Sequence, residues 1–381
     1  MTTPTNDQSY FNPQPNTLQG NGWDAMVRWM DGMREQRPVH EHCGVYHVFR
    51  ADDVRRVLSD SASFSSDRTP LMPQTAQLGR GNLTMMDPPD HTRIRKIVNQ
   101  AFTPRLIHTL VGAIQGIADE LVGDLNGQFD IVSQLAYPLP VRVISRLLGL
   151  ANSDMNNFNS WSAGFSRGDA EQMNEMHDYL NDVAKHKRRC PGSDLMSTLV
   201  ESRVNGEQLT GDEVASLAGL ILLAGHVTTT SLIAASVLEL VSSPELENAV
   251  RRSDKVSHLV EETLRVRPAF AQVVRIASQK TNLSGRPINA GTVIAAWILS
   301  ANYDPNFNLR PNQFQLDRHN RRYLSFGHGV HYCLGSSLAK LEAEISVKTL
   351  LARFSSLKQV EAAEFHPQPT LSVKRLVLFP D

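Results

Sequence analysis

The chain has 381 residues, of which 41% are hydrophobic and 20% charged, with a formal net charge of −1. This composition is that of a folded protein with a large core, and the balanced charge argues against a nucleic-acid-binding protein. Three cysteines are too few for a disulfide framework and fit a reducing compartment. The sequence shows no signal peptide and no long apolar run, so we expect a cytoplasmic protein that does not bind membranes.

The sequence predicts a mainly α protein with a smaller β region. Residues 1–20 are polar and rich in proline and asparagine, which indicates a flexible arm. Amphipathic spacing predicts helices in chain order at 23–34, 51–59, 87–102, 106–126, 139–149, 210–242 and 245–265. Short strands are expected at 45–49, 272–276, 287–299 and 371–379.

The longest predicted helix starts at a capping box. Thr210 and Glu213 form the T-x-x-E pattern, and Ser243-Pro244 would end the helix after Ser242. At about 1.5 Å per residue such a helix is roughly 50 Å long. Its centre, from Leu217 to Ala224, is apolar nearly all round, so we expect it to be a buried central helix.

The most informative segment runs from Phe326 to Gly335 and reads Phe-Gly-His-Gly-Val-His-Tyr-Cys-Leu-Gly. Apolar residues at helical spacing follow Cys333, so this cysteine would lie at a helix N-terminus, where backbone N–H groups favour a thiolate. A thiolate in a glycine-lined loop is a good nucleophile or metal ligand. The alternatives are a buried structural cysteine, or the nucleophile of a hydrolase with His331 or His328 as its base.

This segment resembles the F-G-x-G-x-H-x-C-x-G haem-ligand loop of the cytochrome P450 family. The resemblance covers roughly residues 20–381 and implies the single-domain P450 fold over 21–381, with the long helix over the haem. It implies haem b as the cofactor and the Cys333 thiolate as the iron ligand, with Phe326 and Gly335 beside it. A thiolate ligand pushes electron density onto the iron and favours O–O cleavage.

A second motif matches the helix that holds the haem propionates in this family. It reads Asp87-Pro-Pro-Asp-His91-Thr-Arg-Ile-Arg95, and its His91 and Arg95 are one helical turn apart, so both can reach one anionic group. The resemblance makes His331 a further propionate partner, and Arg275 is a candidate as well. Without the cysteine loop, the same residues would indicate a solvated basic helix or an exposed strand arginine.

A third motif is structural. Glu262 and Arg265 form an E-x-x-R pair, whose spacing puts both side chains on one face of a helix. Any solvated helix could carry such a pair. The resemblance adds Arg318 as a third member that stabilises the core of the family, without a catalytic role.

The centre of the long helix reads Ala224-Gly-His-Val-Thr228-Thr and resembles A-G-x-[D/E]-T-T, which lies over the distal face of the haem in this family. We expect Gly225 and the threonines to open the helix, with the Thr228 hydroxyl beside bound dioxygen. Gly225 and Thr228 are therefore the catalytic candidates. The alternative is a threonine-rich stretch of an ordinary core helix.

Val227 departs from the family pattern because it stands where an acid is usual. A hydrophobic side chain cannot relay the protons that oxygen activation needs. Ordered water or substrate hydroxyls could deliver them, His226 could help, or the enzyme could use peroxide or form bonds by one-electron oxidation.

The resemblance places the substrate pocket above the distal haem face. For each candidate lining residue, core packing is an equal alternative. The candidates are Leu71, Met72, Leu83, Met86, Ile221, Ala224, Phe270, Gln272, Thr370 and Leu371. The methionines indicate an adaptable apolar surface, so we expect a hydrophobic small molecule such as a secondary metabolite or a fatty-acid-like compound.

Electrons would enter from the cysteine side. The expected electron donor is a ferredoxin or flavodoxin with its reductase, and we expect the enzyme to be a monomer. An acidic donor would dock on a basic patch on this side. The alternative is that the basic residues there are scattered solvated charges. The patch candidates are Lys96, Arg105, Arg321, Arg322 and Lys340.

The motifs together predict a haem-thiolate monooxygenase that hydroxylates or epoxidises a hydrophobic small molecule. Because Val227 replaces the usual acid, a peroxide-driven or bond-forming enzyme on the same scaffold is an alternative. A non-catalytic haem-binding protein is a further alternative, and Gly225 and Thr228 argue against it. A cysteine hydrolase would leave the propionate-type motifs without a purpose.

Overall fold

The computed structural model describes residues 22–71, 81–150, 157–158, 160–162, 164, 169–204, 206–366 and 372–380. Its helices are α1 (Gly22–Gln36), α2 (Ala51–Ser59), α3 (Asp90–Ala101), α4 (Pro104–Gly123), α5 (Pro138–Leu148), α6 (Ala170–Arg189), α7 (Leu195–Glu201), α8 (Gly211–Ser242), α9 (Pro244–Ser253), α10 (Val256–Val266), α11 (Ile298–Asn302) and α12 (Ser336–Arg353).

The strands are short. They are β1 (Val39–His42), β2 (Val45–Val48), β3 (Phe64–Ser65), β4 (Phe129–Asp130), β5 (Arg203–Val204), β6 (Glu207–Gln208), β7 (Val273–Ala277), β8 (Thr281–Leu283), β9 (Arg286–Ile288), β10 (Val293–Ala296), β11 (Leu357–Gln359), β12 (Glu364–Phe365), β13 (Val373–Arg375) and β14 (Val377–Pro380). The predicted mainly α architecture with a smaller β component is confirmed.

Helix α8 forms as its sequence predicts. The Thr210 hydroxyl accepts a hydrogen bond from the Glu213 backbone N–H (3.1 Å), and the Glu213 carboxylate accepts one from the Thr210 N–H (2.9 Å). The helix ends at Ser242, and Ser243 separates it from Pro244. By length and composition α8 could cross a bilayer, but 67% of its most apolar window is buried inside the protein, as in a core helix.

Several predicted elements have other bounds in the structure, among them the strand expected at 371–379, which is the two strands β13 and β14. Helix α3 begins at Asp90 rather than at 87, because each of Pro88 and Pro89 disfavours a helical conformation of the residue before it. The single helix expected at 245–265 is two helices, α9 and α10, since Asp254 adopts a left-handed conformation with φ of +48°. The strand expected at 287–299 is β9 and β10, followed by α11.

The contacts divide the chain into two compact units. Unit 1 comprises residues 1–73, 258–333 and 365–372, and unit 2 comprises 74–257, 334–364 and 373–381. The single domain expected over 21–381 stays a prediction.

Unit 1 is built on a five-stranded sheet with the strand order β1-β2-β10-β7-β3. Strand β2 pairs in parallel with β10, and the other neighbours are antiparallel. Val54 and Leu58 of α2 pack on this sheet around the buried Ile294. A second cluster forms where α1 covers Phe49, whose ring stacks on Trp297 at 5.5 Å between centroids.

Unit 2 is helical around α8. This helix packs against α5, α6 and α12, and α4 packs against α12. A three-stranded sheet in the order β11-β14-β4 joins the last strand of the chain to β4.

A buried ionic cluster stabilises unit 1 around Glu262 of α10. The Glu262 carboxylate is fully buried and pairs with Arg265 (Nη2, 2.8 Å) and Arg318 (Nε, 2.9 Å). Arg321 adds a third guanidinium, with its Nε 3.1 Å from the second carboxylate oxygen and its side chain only 13% exposed. The structure thus joins the three residues of the third motif and adds a fourth.

The arginines exceed the carboxylate in charge, so their other N–H groups must be satisfied by other acceptors. Each guanidinium donates to the backbone of the segment that follows α11. The acceptors are the carbonyls of Pro311, Gln313 and Leu316. Arg321 therefore anchors the fold, and its expected place in an exposed basic patch was wrong, whereas the neighbouring Arg322 is exposed.

We expect Arg321→Ala to lower the free energy of unfolding by about 2 kcal/mol, because it removes charge-assisted hydrogen bonds to Glu262 and Leu316. Arg322→Ala is the matched control, since it removes the adjacent exposed guanidinium. Denaturant unfolding of both variants measures the difference. Equal stability of the two variants would contradict a structural role for Arg321.

Candidate active site

The cysteine loop (Phe326–Cys333) is held closed by its own backbone. The Cys333 N–H donates to the Phe326 carbonyl at 2.8 Å, and Gly329 adopts a φ of +74°. A Cβ on Gly329 would lie 2.7 Å from the Cα of Ser59 in α2, so only glycine permits this close approach. The loop therefore presents the Cys333 thiol from a fixed backbone.

Cys333 is a partly buried cysteine that takes part in no disulfide. In the described part of the chain, no group of three or more His, Cys, Asp or Glu side chains could hold a metal ion. A thiol that acts as the single protein donor suits an iron whose other ligands come from a porphyrin. Gly335, two residues after Cys333, is the N-cap residue of α12.

His331 and Arg275 lie in unit 1 with Cys333. The His331 Nε2 is hydrogen-bonded to the Ser66 hydroxyl at 2.9 Å. Arg275 is buried on β7, and its Nη1 donates to the Val274 carbonyl at 2.9 Å. Both side chains can supply positive or hydrogen-bonding groups to an anion.

His91 and Arg95 lie in unit 2, on α3. His91 is buried, and burial together with the neighbouring Arg95 cation lowers its pKa, against a smaller opposing effect of Asp87. The Arg95 Nε donates to the Asn99 side chain at 3.1 Å. The two residues are one turn apart, as the motif predicts.

Thr228 lies on a partly accessible side of α8. Ala224, one turn before it, is exposed, although most of the helix is buried. The Thr228 hydroxyl donates to the Ala224 carbonyl at 2.7 Å, and Thr229 donates to Gly225 in the same way. The helix is unbroken here, so the expected opening was wrong. Each hydroxyl adds a bond to a carbonyl without displacing the helical bond.

Gly225 has a packing role. A Cβ at this position would lie 2.6 Å from the Cδ1 of Ile144 on α5. The glycine therefore lets α8 and α5 approach closely, a constraint that the sequence motif did not indicate.

His226 points away from Thr228. Its Nδ1 donates to the Leu222 carbonyl (2.8 Å), which leaves Nε2 to accept from the Ser162 hydroxyl (2.8 Å). Burial lowers the pKa of His226, so the ring is neutral. At about 100° per residue, His226 is about 200° from both Thr228 and Ala224 around the helix. Assistance by His226 in proton delivery at Thr228 is therefore disfavoured.

The substrate-pocket candidates differ in accessibility. In unit 1, Phe270 is 42% exposed, Leu71 is half-buried and Gln272 is buried. In unit 2, Leu83 and Ile221 are buried, as core residues are, whereas Met86 is half-buried and Ala224 exposed. Met72, Thr370 and Leu371 lie outside the described residues.

Two ionisable side chains, which no sequence motif indicated, have a buried polar atom without a partner among the described residues. Glu342 on α12 is fully buried, which raises its pKa well above the usual range, and its Oε2 has no hydrogen-bond partner among the described residues. Arg68 follows β3 and has a buried Nε, likewise without a partner there. No motif marks either position.

The comparisons with known proteins agree with this architecture. The family model described as "Cytochrome P450" matches residues 141–377. The "Erythromycin C-12 hydroxylase" of Saccharopolyspora erythraea is 38% identical over 350 residues, which cover 87% of this chain and 88% of the relative. The "Cyclomarin C epoxidase CymV" of Salinispora arenicola is 37% identical over 360 residues, covering 89% and 91%.

Solved structures show the same likeness. The ligand-free structure of cytochrome P450 TbtJ1 superposes with a TM-score of 0.89 at 39% identity, and covers 95% of this chain and 98% of that one. The chain belongs to the cytochrome P450 family and has its fold. It is a monooxygenase, and haem b is its cofactor.

We expect Gly225→Ala to destabilise the protein by about 1–3 kcal/mol through the clash with Ile144. Alanine is about 1 kcal/mol more favourable than glycine inside a helix. A lower free energy of unfolding in Gly225→Ala would therefore be due to the clash. Ile144→Val removes Cδ1 and should restore most of the loss in the double variant. Additive effects in this unfolding cycle would contradict the packing role.

Proposed function

We propose that the protein hydroxylates or epoxidises a hydrophobic small molecule in secondary metabolism, with Cys333 as the iron ligand. The observation that carries this proposal is the Cys333 thiol, presented by a glycine-lined loop that its own backbone closes. Support for the reaction type comes from relatives whose names denote a hydroxylase and an epoxidase. When bound, haem b supplies the activation of dioxygen.

The residues of the chain act around that cofactor in distinct ways. The loop places Cys333 two residues before Gly335, the cap of α12, whose N-terminal dipole favours the thiolate. His91, Arg95, Arg275 and His331 would bind the propionate carboxylates through charge and hydrogen bonds. Phe326 and Gly335 flank the ligand in sequence and complete this proposed set.

Proton delivery would rely on Thr228 together with water or substrate hydroxyl groups. The Thr228 hydroxyl donates its proton to the Ala224 carbonyl, so its lone pairs can accept a hydrogen bond from water. Val227 has no proton to give, and His226 lies on the other side of α8. We therefore infer that ordered water or a substrate hydroxyl carries protons to the Thr228 side.

A second candidate function follows from Val227. A peroxide supplies both oxygen atoms and electrons, so its use would remove the need for a proton-coupled reduction of dioxygen. Oxidative bond formation on the same scaffold is the other form of this alternative, and it would remove two hydrogens from the substrate instead of adding oxygen.

A dioxygen-dependent function predicts a specific product. With a ferredoxin or flavodoxin, its reductase and labelled dioxygen, the product of a bound substrate should gain one labelled oxygen atom. Candidate apolar metabolites are first screened for a low-spin to high-spin shift of the haem spectrum. Cys333→Ser is the control and should lose the thiolate-type spectrum of the reduced CO complex. Product formed only with peroxide, or a product lacking two hydrogens, would support the second function instead.

Val227→Glu should improve proton delivery if the missing acid limits the reaction. We expect about a tenfold gain in product formed per electron consumed, with less hydrogen peroxide released. Val227→Gln is the matched control because it has a similar shape and no acidic proton. Unchanged coupling in Val227→Glu would show that the missing acid is not limiting.

Proteins of this class generally receive electrons from a ferredoxin with its reductase, and we propose such a donor here. The exposed cations that support docking are Lys96 and Arg105 in unit 2 and Arg322 in unit 1. Lys340 is half-buried, and Arg321 is paired with Glu262. We also propose that the protein is a cytoplasmic monomer.

A further inference from the structure

Arg68 is a half-buried cation without a counter-charge among the residues that the structure describes. Its Nε is buried and has no hydrogen-bond partner there. Burial lowers the pKa of Arg68, and no carboxylate offsets that effect. The adjacent Asp67 accepts instead from the backbone N–H (2.9 Å) and hydroxyl (2.6 Å) of Thr69. A guanidinium stays charged in proteins, so an external anion would stabilise this one.

The segment that carries Arg68 leaves the sheet beside two residues of the proposed haem site. Strand β3 pairs with β7 so that Ser65, the last residue of β3, lies opposite Ile276. Ser66 and Arg275 are the next residues of the two antiparallel chains, so the same register would place them opposite each other. The Ser66 hydroxyl is hydrogen-bonded to His331 Nε2 at 2.9 Å. All of these residues belong to unit 1.

We propose that Arg68 binds a haem propionate carboxylate and that Ser66 is a positioning residue that holds His331 for the same group. A guanidinium forms short, charge-assisted hydrogen bonds with a carboxylate, often in pairs. The proposal rests on Cys333 as the haem ligand, and it adds two residues that the sequence motifs do not contain.

An acidic substrate would offer the same carboxylate chemistry. The propionate is the better match because Ser66, two residues before Arg68, is bonded to the histidine that the family resemblance assigns to that group. The experiment separates the two sources of carboxylate.

Haem loss from the ferric holoenzyme to excess apomyoglobin tests the proposal. We expect Arg68→Leu to lose haem at least about tenfold faster than the wild type, because a hydrogen bond to a charged group is lost, and Arg68→Lys to be intermediate. Ser66→Ala should also speed the loss, and Ser66→Thr, which keeps the hydroxyl, should not. Arg37→Leu is the matched control, since it removes an exposed guanidinium from the same unit.

Reconstitution with haem dimethyl ester removes the propionate charge. The difference between wild type and Arg68→Leu should then disappear. The reduction potential gives a second readout, and Arg68→Leu should shift it to more negative values, whereas Arg37→Leu should not.

Two results would overturn the proposal while leaving Cys333 as ligand intact, as judged by the reduced-CO spectrum. One is haem loss from Arg68→Leu no faster than from Arg37→Leu. The other combines two observations on Arg68→Leu: its haem loss is unchanged, and carboxylic acids no longer shift its spin state whereas the matching alcohols still do. That result would assign Arg68 to the binding of an acidic substrate. A missing thiolate spectrum in the wild type would instead refute the proposed function.

Discussion

A single buried carboxylate organises the part of unit 1 that leads to Cys333. Glu262 fixes Arg265 and Arg318, and these arginines fix the backbone between α11 and the cysteine loop by donating to its carbonyls. Asn302, at the end of α11, continues this network, because it donates to the Arg265 carbonyl and accepts from the Leu324 N–H. The chain therefore enters the cysteine loop two residues after an anchored position. The fixed position of the thiol depends on a charge cluster that has no part in the chemistry.

Helix α8 combines two demands that conflict. As the central helix of unit 2 it must be continuous and closely packed. Gly225 makes close packing possible because it leaves room for the Ile144 side chain. As the candidate oxygen-binding element it must present polar groups on one side. The threonine hydroxyls meet both demands, since they bond to carbonyls of the preceding turn and keep lone pairs free. From residue 224 to 228, however, no ionisable side chain lies on the Thr228 side, because His226 is turned to Ser162.

The sequence predicted those features that depend on local rules. The capping box at Thr210 and Glu213 is a contact within one turn, and the glycines of the cysteine loop encode their own backbone conformation. The helix break at Asp254 could not be predicted from the sequence, because the left-handed conformation of an aspartate does not change the spacing of the apolar residues around it. The burial of Arg321 and the direction of His226 were also missed. Both depend on partners distant in sequence, Glu262 and Ser162, and a surface-like composition gave no signal for either.

Glu342 and Arg68 each have a buried polar atom without a partner among the described residues, and the two side chains respond differently to burial. Glu342 can avoid the cost of burial by binding a proton, and its raised pKa shows that the neutral acid is favoured. Arginine has no such route, since its guanidinium remains protonated at any pH at which the protein folds. The half-buried Arg68, with its buried Nε, would therefore be stabilised by an anion, whereas the buried Glu342 needs none. This difference is why Arg68 points to a ligand and Glu342 is compatible with a purely structural role.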